Sequence, residues 1–148
     1  NNVTISANAS LVTGTENQRH QFNSYGNFTI NGTAKFTQRV AANLTADATD
    51  GIIDLNFLNT TSDQTLSCNA QANFYRIKID KESSAYMLSI TASADGNFNL
   101  FGRANYSIDS DLGYGGTNAN AFALVTGTAK LGSNVKFTLN QGGNYSIS

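Results

Sequence analysis

The chain contains no proline and no tryptophan, and only one cysteine, one histidine and one methionine. Each scarcity excludes something. A lone Cys68 cannot form an internal disulfide, and one Cys with one His is too small a ligand set for a zinc site. His20 is the only imidazole available to a hydrolytic triad, and it lies in a polar stretch, Glu16 to Ser24, away from any nucleophile motif. No glycine-rich phosphate loop is present. The chain therefore reads as a non-enzyme without a cofactor or metal. Charged residues make up 13% of it and the net charge is −1, which leaves no basic footprint for nucleic acid. No apolar run approaches the roughly 20 residues of a transmembrane helix. No signal peptide is visible, so export implies that a signal has already been removed. The absence of proline leaves strand edges unblunted.

The polar surface is instead built from twenty Asn, sixteen Thr and fourteen Ser. Apolar residues alternate with these over short stretches, which predicts strands with one buried face. Phe28 and Ile30 share a phase, as do Ala34 and Phe36, then Val40, Ala42 and Leu44, then Ile53, Leu55 and Phe57. From Thr65 to Asp80 the apolar phase is even through Phe74 and odd from Tyr75. That change reads as a β-bulge or as a strand passing between two sheets. Tyr86 to Ala92 and Phe98 to Ile108 flank Asp95-Gly96, a favoured pair for a tight hairpin turn, and Asn31-Gly32 is a second turn signal. Leu-Val-Thr-Gly-Thr occurs at 11–15 and 124–128, and Asn-Tyr-Ser-Ile at 105–108 and 144–147. Their spacings differ, which argues against a solenoid period. No helical periodicity is sustained. The expectation is an all-β chain: an antiparallel β-sandwich, Ig-like or jelly-roll, with an N-terminal donor strand at 1–15 and the sandwich at 16–148.

Asn-X-Ser/Thr occurs at Asn2, Asn8, Asn27, Asn31, Asn43, Asn59, Asn105 and Asn144, more often than composition predicts. These fall on the polar phase of their strands, where N-linked glycans fit. Cys68 shares the core phase of Leu66, Ala70 and Ala72 and reads as a buried small hydrophobe. Asp109 and Asp111 resemble the start of a calcium loop but lack its closing Glu, and Asp47, Asp50 and Asp54 form a weaker acidic group. Lys35, Lys78 and Lys136 are the lysines inside strands that isopeptide crosslinking would use. Their phase makes them solvated instead.

Asn1 to Thr15 concentrates the strand signal: Val3, Ile5, Ala7, Ala9 and Leu11 lie on one phase and Asn, Thr and Ser on the other. Burying Val3, Ile5 and Leu11 yields roughly 1.5–3 kcal/mol each. Ordering about ten residues costs roughly 1–2 kcal/mol apiece. Ladder hydrogen bonds on both sides are needed to offset that, so the arm suits a slot in a neighbour. An arm of this kind before an all-β domain resembles the subunits of donor-strand filaments. The plan is similar to that of chaperone–usher pilins. The sequons and the missing cysteine pair are closer to the glycosylated thread filaments of thermoacidophilic archaea. Type IV pilins are excluded by the lack of a long apolar N-terminal helix. The resemblance implies an extracellular, cell-surface homopolymer serving adhesion or biofilm. The alternative is a secreted lectin-like carbohydrate-binding module, with Tyr25, Tyr86 or Tyr114 stacking on sugar.

Overall fold

In the computed structural model the described residues are 1–14, 18–38, 51–101 and 122–135. They form thirteen short strands: β1 (Val3–Ile5), β2 (Ser10–Val12), β3 (Arg19–Ser24), β4 (Phe28–Ile30), β5 (Thr33–Lys35), β6 (Ile52–Phe57), β7 (Gln64–Cys68), β8 (Ala72–Phe74), β9 (Arg76–Asp80), β10 (Met87–Ala92), β11 (Phe98–Leu100), β12 (Phe122–Thr126) and β13 (Thr128–Leu131). Every third strand belongs to the same sheet. Sheet A runs β1-β4-β7-β10-β13, sheet B β2-β5-β8-β11 and sheet C β3-β6-β9-β12. All these strand pairs are parallel. The chain therefore winds through A, B and C in turn, four full coils and the start of a fifth: a parallel β-solenoid.

This corrects the antiparallel sandwich. Alternation specifies which face of a strand is buried, and it says nothing of the partner's direction. Asp95-Gly96, read as a hairpin turn, is a corner instead. Gly96 has φ +81°, and the flanking β10 and β11 lie in different sheets. Asn31-Gly32 is the same corner one coil pair earlier. There Gly32 lies so close to the carbonyls of Ser6 and Ala9 that a Cβ would stand 2.4 and 2.3 Å from their oxygens.

The N-terminal donor strand is corrected with it. Residues 1–14 are not one ribbon. Val3 and Ile5 lie in β1, paired with Phe28 and Ile30 of the same chain. Leu11 lies in β2, paired with Ala34. Ala7 and Ala9 are exposed at the corner between them. The arm is the first coil of its own solenoid.

Side chains stack in register from coil to coil. One inward row is Val3, Phe28, Leu66, Ile90 and Leu131, and another is Ile5, Ile30, Cys68 and Ala92. Phe36, Phe74 and Phe98 stack along the axis with successive centroids 5.3 Å apart. Phe28 meets Phe22 and Phe36 edge-on. Coil lengths differ mainly at one corner, from sheet B to sheet C. Tyr75 alone links β8 to β9, whereas β5 ends at Lys35 and β6 begins at Ile52, and β11 ends at Leu100 and β12 begins at Phe122. The expected phase change at Tyr75 is thus a passage between two sheets.

Candidate functional site

The residues opposite the core in sheet A form rows, because parallel in-register pairing puts like residues side by side. Thr4, Thr29, Ser67 and Thr91 occupy one row. Thr65, Ser89 and Lys130 occupy the next, which Asn27 extends by accepting the Thr65 N–H through its Oδ1 at 2.9 Å. Asn2 extends it again, its Oδ1 accepting the Asn27 N–H at 2.9 Å. A third row at the sheet's far border holds Asn31, Asn69 and Ser93. Asn69 Nδ2 donates to Asn31 Oδ1 at 2.9 Å, and Ser93 Oγ donates to the Asn69 carbonyl at 3.1 Å. Neighbouring strands lie about 4.8 Å apart and alternate residues about 6.6 Å apart along a strand. The face is therefore a regular grid of hydroxyls and amides, with Lys130 the one charge among the residues named. Thr4, Thr65 and Thr91 are exposed, and Thr29, Ser67 and Ser89 are half-buried.

Two aromatics border this grid. Tyr25 stands at the corner leading from sheet C into sheet A in the first coil, with 58% of its surface exposed. Tyr86 stands at the same corner two coils on, half-buried. Two coil steps separate them by about 10 Å along the axis. Tyr114, the third expected sugar platform, lies outside the described residues.

The outer side of sheet C is different in kind. Asp54 is fully buried although it alternates with the core residues Leu55 and Phe57. Arg19 donates to it through Nε at 3.0 Å and Nη2 at 3.2 Å, and Arg76 Nη1 lies 3.7 Å from its Oδ2. The Arg19 guanidinium also sits 5.5 Å from the centre of the Tyr75 ring. The carboxylate read as part of a weak acidic group is thus bound by guanidinium. Asp47, Asp50, Asp109 and Asp111 lie outside the described residues. Among the described residues no group of three or more His, Cys, Asp or Glu could hold a metal, and no helix is long and apolar enough to cross a membrane. His20 is exposed and lines a cleft of about 190 Å³ with Val12, Thr13, Gly14, Gln18, Gly51 and Ile53.

Five of the eight sequons can be placed. Asn2, Asn27 and Asn31 belong to the sheet A rows, and in Asn2-Val3-Thr4 and Asn27-Phe28-Thr29 the motif is two successive outward positions. Asn8 occupies the corner after β1 with φ +66°. Asn59 spends the nitrogen that a glycan would take, donating to the Tyr25 carbonyl at 2.7 Å and to Ser62 Oγ at 3.0 Å. Asn43, Asn105 and Asn144 lie outside the described residues. Asparagine has a second use on the other sheets too: Asn56 Nδ2 donates to Asn23 Oδ1 at 2.8 Å and Asn99 Nδ2 to Asn73 Oδ1 at 3.1 Å. Stacked amides of this kind satisfy one another across coils.

Of the strand lysines, Lys35 and Lys78 are half-buried, with Lys78 Nζ 2.9 Å from Asp80, and Lys136 lies outside the described residues. Among the described residues the buried lysine is Lys81, which the sequence does not single out because it follows a strand and sits between Asp80 and Glu82. Comparisons with protein-family models, curated proteins and solved structures find no match.

Proposed function

We propose that this solenoid is a carbohydrate-binding module of the extracellular space, and that the outer face of sheet A is its binding surface. The observation that carries the reading is the placement of Tyr25 and Tyr86 along the border of a grid of Ser, Thr and Asn. A sugar chain offers hydroxyls that donate and accept at every ring, together with apolar ring faces. Ser and Thr hydroxyls and Asn amides also do both, and the exposed Tyr25 and half-buried Tyr86 supply flat platforms. The near absence of charge on the grid favours a neutral glycan over an anionic one. It also lacks the buried Trp, Tyr and Arg anchors on which protein partners depend. The grid repeats along the solenoid axis, so an extended polysaccharide laid across the strands meets similar partners at each coil.

The expected filament role loses its donor, since the arm is engaged within the first coil. The test is binding of the purified chain to a panel of neutral polysaccharides, by affinity electrophoresis and calorimetry. Tyr25→Ala and the pair Thr29→Ala and Ser67→Ala should each weaken binding at least several-fold with the melting temperature held. No retention by any glycan, or retention indifferent to all three changes, would refute the proposal.

A further inference from the structure

Gln64 and Lys81 meet inside the corner that leads from sheet C to sheet A, and both are buried, at 1% and 0% exposure. Lys81 Nζ donates to Gln64 Oε1, so the amine is in hydrogen-bond contact with the side-chain carbonyl whose carbon it would attack. That carbonyl also accepts the Asn59 N–H at 3.2 Å. The amide nitrogen, Nε2, donates to the carbonyls of Ser24 at 3.1 Å and Gly26 at 2.6 Å, which hold the group in one orientation. Gly127, at φ +118°, leaves room for the lysine stem: a Cβ there would lie 2.6 Å from Lys81 Cγ. The corner therefore holds a nucleophile, an electrophile and a hydrogen-bond donor on the carbonyl oxygen, shielded from water.

We propose that Lys81 and Gln64 join in the folded protein through an ε-(γ-glutamyl)lysine isopeptide bond. The neutral amine of Lys81 attacks Gln64 Cδ and forms the new C–N bond. The Asn59 N–H stabilises the oxygen as negative charge develops on it, as an oxyanion donor does. The bond from Cδ to Nε2 breaks, and Nε2 takes a proton and departs as ammonia. The proton passes from the attacking nitrogen to Nε2, since both nitrogens are bonded to Cδ in the tetrahedral intermediate. Amine and primary amide become a secondary amide and ammonia, with no oxidant or other reactant. Burial pushes the Lys81 amine from its ordinary 10.5 down to about 8, against the opposing pull of the Asp63 charge, so neutral amine is present near neutral pH. The bond would tie the start of the third coil to the corner that ends it.

The test is peptide mapping of the folded, purified chain by mass spectrometry. The expected result is a branched peptide that joins the Gln64 segment to the Lys81 segment and is lighter by one ammonia. Mapping separates this from ammonia loss at Asn31-Gly32. Lys81→Arg should abolish the branch, and Gln64→Glu should abolish the ammonia-loss product. Unlinked Gln64 and Lys81 peptides at full mass from folded wild-type protein would overturn the proposal, whether or not the variants fold.

Discussion

The outer faces of sheets A and C follow the same alternation and end in opposite environments. On sheet A the outward residues are Ser, Thr and Asn in rows open to solvent. On sheet C they include Arg19 and Asp54, buried together and flanked by Tyr75 and Ile52, which form a small apolar cluster apart from the main core. Period-two patterning separates inside from outside of a coil, but it does not decide whether the outside is wet. Composition signals the difference. Apart from Lys130, uncharged hydrogen-bonding residues occupy the sheet A face, while an ion pair with apolar neighbours occupies the covered part of sheet C, whose Gln21 and Asn23 are exposed.

Breaking the covered face should cost most. Asp54→Ala removes the buried carboxylate that both Arg19 and Arg76 face, an effect of about 3–5 kcal/mol. Urea titration of the variant against wild type measures it. A loss below about 1 kcal/mol would mean that the sheet C face behaves like an exposed surface.

The next contrast lies within one strand. Leu66 belongs to the inward row of β7, at 0% exposure, and touches the core on which every coil depends. Leu66→Ala should cost about 2–5 kcal/mol by lost burial and the cavity left behind. Cys68, on the same side, should resist alkylation in the folded protein, because burial pushes its thiol up to about 12, and should react on unfolding.

These elements also show what could be read from sequence. The inward phase was legible at Phe28 and Ile30, at Leu66 and Cys68, and at the switch across Tyr75, because burial imposes alternation on any strand. Strand direction was not legible, and neither was the solenoid. In the row Val3, Phe28, Leu66, Ile90 and Leu131 the steps are unequal, because the links from Lys35 to Ile52 and from Leu100 to Phe122 interrupt the repeat. Short corners such as Asn31-Gly32 have hairpin chemistry, since both need tight turns. Of the candidate site, Tyr25 and Tyr86 were legible as aromatics suited to stacking on sugar, the first exposed and the second half-buried in the fold. Their shared border with the hydroxyl rows was not, because it depends on coil register. Lys81 was hidden for a similar reason: its partner Gln64 stands at the other end of the same coil.

The corner between sheets C and A sharpens the comparison, since there a single amine is covered. In chains that retain the free Lys81 amine, its folded-state value of about 8 lies below its ordinary 10.5. Below about pH 8 the amine is charged in both states and the folded protein carries the full cost of burying it. As pH rises from about 8 towards 10.5 the folded state sheds its proton before the unfolded chain does, so stability rises through that window. Melting temperatures across it should climb, and the Lys81→Met variant should remove that climb. An isopeptide bond at the same nitrogen would also remove it, so the two measurements constrain each other.

The smallest stability effect belongs to the open face, and there it should separate from binding. Ser67 is flanked by Thr29 and Thr91 in the adjoining strands and by Leu66 and Cys68 along its own. Ser67→Ala removes a hydroxyl whose alternative partner is water, so unfolding free energy should move by no more than about 0.5 kcal/mol. Lateral regularity depends on that hydroxyl, because it is the only group its coil contributes to the central row. Glycan affinity should therefore fall while the urea midpoint stays put. A matched loss of both would make the row part of the scaffold, and a loss of neither would leave sheet A with no more claim to a ligand than sheet C.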